Sequence, residues 1–174
     1  MLKISNALKF AALAAALALA ACSTPKPKPE EAPPQAPQAA TAQPSVQSSV
    51  VPGSVQDFRV NVGDTVHFEY NKSDVTDEDK GILQRQSTWL QRYPSVRVTI
   101  EGHCDERGTR EYNIGLGARR ANAVKEYLVS LGVSSGRVDT VSYGKERPIC
   151  TESNEDCWAQ NRRGVTTITG GASS

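Results

Sequence analysis

Between Gly102 and Val124 the chain reads GHCDERGTREYNIGLGARRANAV, a histidine, a cysteine, an aspartate and several arginines set among glycines. Those residue types permit three chemistries: a metal held by His103 and Cys104 with Cys150 and Cys157, which are better read as oxidised to one another, a cysteine nucleophile activated by His103, or a small charged ligand gripped between a carboxylate and a guanidinium. Neighbours in an extended segment point to opposite sides, so His103 and Cys104 diverge, which disfavours both the metal and the dyad. The run GLGARR opens like a dinucleotide fingerprint, but Arg120 stands at its third glycine position and no strand leads directly into it. The sequence therefore predicts no metal, no cofactor and no enzyme.

The charged-ligand chemistry needs its groups on one side. Helical positions seven apart return to nearly the same angle, so Asn113, Leu116 or Gly117, and Arg120 make a stripe, with Asp105 in the turn that feeds it. Two readings stay open on pattern alone. Either Asp105 and the arginines face a ligand, or Asp105 caps or salt-bridges locally and the arginines are solvated.

The elements that must position these groups follow from periodicity. TVHFEY, Thr65 to Tyr70, is β-branched and aromatic and predicts a strand. Ile82, Leu83, Gln86, Trp89, Leu90 and Tyr93 fall at helical spacing behind a Thr76 N-cap and three acidic residues, and Pro94 stops that helix. VRVTIEG alternates, with Val96, Val98 and Ile100 on one face, and predicts a half-buried strand ending at Gly102. Ile114, Gly117, Ala121, Val124, Leu128 and Leu131 form the apolar stripe of a second helix that Gly132 closes. Arg137 to Gly144 and Gly164 to Thr169 predict two further strands with a loop between them. Strand, helix, strand, helix, strand, loop, strand is a two-layer α/β sandwich, a mixed four-stranded sheet with helices on one face.

The chain ends add a second kind of information. Residues 1–21 carry Lys3 and Lys9, then an apolar run too short to span a bilayer, and read as a secretory signal peptide. The LAAC that closes it resembles the bacterial lipobox, which implies that Cys22 is acylated and that Ser23 is an outer-membrane address. From there to residue 56 the composition turns to Pro, Ala, Gln and Ser, with eight of the ten prolines, and cannot offset its own ordering entropy. Such a tether spans on the order of 90 Å as polyproline II and about 30 Å as a coil. Residues 57–170 are one domain's worth of chain, and 171–174 read as a flexible tail. Without its leader the chain carries −1 rather than +1, which gives no electrostatic footprint for nucleic acid. Export also favours a disulfide between Cys150 and Cys157 across the polar loop CTESNEDC, leaving Cys104 as a small buried residue.

IEGHCDERGTREYNIGLGARRANAVKEYLVSLGV, with VDTVSYGKERP and NRRGV beyond it, closely resembles the OmpA C-terminal-like family, and the lipobox and Pro-rich tether match its wall-binding lipoproteins. The resemblance runs from VHFEYNKSDVT onward. It implies a non-catalytic clamp for the diaminopimelate of the peptidoglycan stem peptide, anchored by lipid in the outer membrane, facing the periplasm and working with TolB and other Tol proteins. It implies ligand contacts from Asp105 and Arg120, further contacts from Asn113 and Leu116, and a first-strand contribution from Tyr70 and Asn71. Two departures are plain: Cys104 stands where the family has Thr, and Asn71 where many members have Asp. An envelope scaffold or adhesion lipoprotein with secondary wall binding is the alternative function.

Overall fold

The computed structural model describes residues 50–174, so the expected leader over 1–21, the expected lipidation residue Cys22 and the tether up to residue 49 lie outside the described residues. The chain folds as α1 (Val55–Asp57) running into a π-helical turn (Phe58–Val62), then β1 (Thr65–His67), α2 (Asp77–Arg92), β2 (Arg97–His103) and α3 (Arg110–Ser130). A 3-10 turn (Ser135–Arg137), β3 (Val138–Gly144), α4 (Glu155–Asn161) and β4 (Arg163–Gly170) complete it. The sheet order is β1-β4-β2-β3, with β2 and β3 parallel and the other pairs antiparallel. The expected two-layer sandwich on a mixed four-stranded sheet is what forms.

Hydrophobic periodicity builds the core. Val98 and Ile100 of β2, Leu83 and Leu90 of α2, and Ala121, Val124 and Leu128 of α3 are fully buried together. The Thr76 hydroxyl caps α2, accepting from the Asp79 N–H at 3.2 Å. The start of α3 lies four residues before the first apolar position, because Thr109 caps it by accepting from the Tyr112 N–H. Gly102 and Gly117 then set the distance between α3 and β2: a Cβ on either would strike the other's carbonyl group. This close approach fixes where the end of β2 stands against the first turns of α3.

The structure differs from the sequence expectation in four places. The first strand ends at His67 rather than Tyr70, because side chains take the carbonyls a longer strand would have paired: Arg162 Nε donates to Phe68 O and Arg120 Nη2 to Glu69 O. The expected loop after β3 contains α4, capped by the Asn154 side chain on the Cys157 N–H. The folded unit also reaches back before Asp57. Ser54 caps α1 and bridges Ser173, Gly53 donates to Asp57, and Trp89 Nε1 donates to the same carboxylate at 2.8 Å. Residues 171–174 are correspondingly not all free, since Ser173 donates to Gly53 O and Ser95 donates to Gly171 O. Pro52 and its small neighbours look like linker, but local caps on Asp57 and contacts distant in sequence, from Trp89 and Ser173, together hold them.

Cys150 and Cys157 form the expected disulfide, with Cα atoms 5.2 Å apart. Closing so small a loop stabilises the fold by about 2–3 kcal/mol in the chain-entropy account. Cys104 is free and buried, its thiol donating to Asn113 O at 3.4 Å.

Candidate functional site

Beyond the end of β2 the Cys104 N–H donates to Gly144 O, which turns the chain out of the sheet and makes Asp105 the first residue of a tight loop into α3. Asp105 is only 5 % exposed, so its carboxylate must be met by partners. Arg107 meets it as a fork: Nη2 donates to Oδ2 at 2.7 Å and Nε to Oδ1 at 3.1 Å, while the Arg107 N–H also donates to Oδ1. The loop closes because Gly108 adopts φ +89°. Burial by itself would raise the Asp105 carboxyl, but the bonds and charge of Arg107, with the charge of Arg162, outweigh it and hold the group below its usual range.

Arg162, at the α4–β4 junction, stands on the other side. Its Nε holds Phe68 O at 2.9 Å, its Nη2 holds Glu155 Oε1 at 2.7 Å, and its Nη1 lies 3.5 Å from Asp105 Oδ2. Among the described residues that Nη1 is buried without a hydrogen-bond partner. The outer edge of the cluster is aromatic. The Arg107 guanidinium lies between the rings of Tyr70 and Trp158, 4.1 and 4.0 Å from their centres. Beside them Tyr112 donates its hydroxyl to Asn71 Oδ1, and Asn71 takes φ +59°, a left-handed conformation that asparagine tolerates. Two guanidiniums and the carboxylates of Asp105 and Glu155 thus share one rim. Such a cluster offers an anion and a cation side by side and an idle donor, so it has the means to exchange its internal pairs for the two charges of a zwitterion.

The residues expected at the site divide. Asp105, Tyr70 and Asn71 lie at this rim. Arg120, also expected there, is fully buried in this structure, with Nε donating to Lys72 O at 2.9 Å, Nη1 to His103 O at 2.8 Å and Nη2 to Glu69 O at 3.1 Å. The fork expected to meet a ligand carboxylate instead pins the Glu69–Lys72 loop to the end of β2. Asn113 is also internal, its amide donating to Arg107 O and Thr109 O, and Leu116 is buried beside it. The helical stripe is real but faces inward, because it neighbours the apolar stripe and both are covered. Neither open reading holds alone: Asp105 is salt-bridged locally, Arg107 remains partly accessible, and Arg120 is not solvated. Arg107, Arg162, Tyr112 and Trp158 were not singled out from the sequence. The signals were DERG and NRRG, where an arginine follows Asp105 by two residues and a second pair precedes the last strand.

The chain matches the OmpA family over residues 67–162, more than half its length. The peptidoglycan-associated lipoprotein of Agrobacterium fabrum is 52% identical over 122 residues, which is 70% of this chain and 69% of that protein. The protein of the same name from Pseudomonas aeruginosa is 49% identical over 117 residues, 67% of this chain and 69% of its own. This chain belongs to the OmpA family, in its peptidoglycan-associated lipoprotein branch. The crystal structure of the Burkholderia pseudomallei peptidoglycan-associated lipoprotein superposes with a TM-score of 0.59 at 39% identity, covering 60% of this chain and 89% of that one. The C-terminal domain of Helicobacter pylori MotB shares the fold at 22% identity, with a TM-score of 0.58 over 62% of this chain and 84% of that one. The matched segment of the OmpA family contains Asp105, Arg107 and Arg162 together with α3. Among the described residues no group of His, Cys, Asp and Glu is arranged to hold a metal ion.

One residue of the motif lies behind the rim. His103 is 2 % exposed, both ring nitrogens lack hydrogen-bond partners among the described residues, its ring centre is 5.5 Å from that of Tyr143, and Glu101 stands 3.6 Å away. Burial, then the charges of Arg163 and Arg147, push it down to about 4. The unfolded chain therefore binds more protons than the folded one between about pH 6.5 and 4, so stability falls as the pH drops through that window. The expected loss is about 2–3 kcal/mol, measured by urea unfolding across the window. His103→Gln should flatten that part of the profile, and an unchanged slope would count against a neutral buried imidazole.

Proposed function

We propose that this chain is a non-catalytic outer-membrane lipoprotein that binds peptidoglycan through the diaminopimelate of its stem peptide. On this reading it ties the outer membrane to the cell wall from the periplasmic side, with TolB and the other Tol proteins of the Tol–Pal system as partners in envelope integrity and cell division. The observation that carries the reading is the Asp105 cluster, a buried carboxylate between Arg107 and Arg162 with one Arg162 donor idle. The far end of diaminopimelate bears an ammonium and a carboxylate on one carbon. Asp105 accepts from the ammonium, and Arg107 with Arg162 donates to the carboxylate, so the ligand replaces pairs that already exist rather than burying new charge. Lysine in the same wall position has the ammonium without the carboxylate. It would take Asp105 from its arginines and leave them to share Glu155, which disfavours lysine-type walls. The relatives' shared name and the family membership support association with peptidoglycan. The test is cosedimentation of the protein with purified sacculi: diaminopimelate-type walls should pull it down and lysine-type walls should not. Equal pelleting by both would refute the site as the reader of diaminopimelate.

The anchor half of the proposal rests on LAAC before a polar tether. Cys22→Ser should move the protein from the membrane fraction to the soluble periplasm, read by fractionation and blotting. Retention in the membrane with the leader removed would rule out the lipid.

A further inference from the structure

A second concave surface runs along α3, next to the Asp105 cluster but separate from it. Ser73 follows Lys72, whose carbonyl Arg120 holds, and with Asp74 it forms one wall of an open groove of about 740 Å³. The exposed side of α3 forms the other wall with Arg119, Asn122 and Glu126, and Tyr127 lies at its base, packed against the hydrophobic core. The volume falls within the roughly 300–1,000 Å³ of small-ligand clefts.

Three features narrow the ligand class. The walls supply the hydroxyls of Ser73 and Ser130, the Asn122 amide, whose oxygen also accepts from Thr140, and two carboxylates, a mixed set of hydrogen-bond donors and acceptors suited to polyol and acetamido edges. Val75, Ala123 and the Tyr127 ring add an apolar patch for the C–H face of a ring. Asp74 and Glu126 are matched by Arg119 and Lys80, so the groove does not concentrate an ion of either sign. An uncharged, hydroxyl-rich ring fits all three. The spacing agrees as well. Ten residues of α3 separate Tyr112, at the rim, from Asn122, a rise of about 15 Å. In the wall polymer a lactyl group and two amino acids separate the muramyl sugar from diaminopimelate, about 10 Å when extended, before the diaminopimelate side chain adds its own reach.

We propose that this groove is a saccharide subsite that takes an N-acetylated aminosugar of the glycan strand while the Asp105 cluster holds the stem peptide. The proposal rests on the wall-binding reading above and extends the footprint from one amino acid to the sugar–peptide junction. The probes are the free tripeptide ending in diaminopimelate and the same tripeptide carrying its disaccharide, titrated calorimetrically into the full-length protein in detergent. The disaccharide form should bind about fivefold more tightly, the effect of one typical net hydrogen bond. Asn122→Ala and Glu126→Ala, both on the exposed face of α3, should remove that advantage and leave tripeptide affinity unchanged. Equal affinity of the parent for the two probes, or variants that weaken both probes alike, would overturn the subsite. Binding of the disaccharide form without binding of the tripeptide would overturn the diaminopimelate reading and leave the subsite standing. Binding of neither would overturn both.

Discussion

Replacing Asp105 by asparagine, or Arg107 by alanine, is expected to weaken binding to diaminopimelate-type sacculi by about 30-fold or more. The figure corresponds to the 2 kcal/mol or more lost when one partner of a buried, hydrogen-bonded charge pair is removed. Asp105→Asn keeps the shape but loses the charge that meets an ammonium, and it leaves Glu155 as the carboxylate that Arg107 and Arg162 share. Arg107→Lys should bind almost as poorly as Arg107→Ala, because lysine keeps the charge and loses both the fork and the flat face between Tyr70 and Trp158. Arg110→Ala is the control, since Arg110 is exposed and, among the described residues, pairs with Glu146 at 3.3 Å. The pH profile follows from the same carboxylate. Asp105 is held below the usual carboxylate range by Arg107 and Arg162, so binding should stay level from neutral pH down into that range and fall only below it. Pelleting of Asp105→Asn with sacculi at parental affinity, while the variant melts cooperatively, would remove the cluster from consideration.

Arg120→Met should lower stability by about 3–5 kcal/mol, because three carbonyls in or beside the core lose their donor. This outcome distinguishes the buried anchor seen in the structure from the exposed ligand clamp that the sequence suggested, for which melting would be unchanged. Wall binding should fall too, but indirectly: freed from Arg120, the Glu69–Lys72 segment no longer presents Tyr70 to Arg107. Arg120→Lys should recover part of the stability, since one ammonium reaches some of the carbonyls that three guanidinium nitrogens hold. Thermal melting and sacculus pelleting of the same variants separate the two effects. A fully stable Arg120→Met that fails to bind the wall would restore the direct contact and refute the anchor.

A second arginine shows that this use of guanidinium is a habit of the fold. Arg137 closes the 3-10 turn before β3 and donates to Val96 O, Leu90 O and Tyr93 O, gathering the end of α2 and the entry to β2 on one side chain. Neither arginine is marked by its own position in the sequence. A charged residue looks solvated on any pattern until the carbonyls that enclose it are known, and those lie as far as 51 residues away in the chain.

What the sequence by itself determined is everything with a local cause. Alternation and 3.6-residue spacing placed the central strands and both long helices, Thr76 placed the start of α2, and the polar CTESNEDC segment placed the disulfide. The motif around Asp105 was legible because histidine, cysteine, aspartate and arginines crowd among glycines there and because the stretch resembles the family's motif. The tertiary structure alone decided which arginine faces outward. Arg107 and Arg120 are the same chemical group on two sides of one turn and helix start. What separates them is the close approach of Gly102 to Gly117, which seats α3 on β2 and buries position 120, together with the return of the chain through α4, which brings Trp158 and Arg162 against position 107. Such contacts depend on how elements pack, and packing is a property of pairs of surfaces that no single stretch of sequence contains.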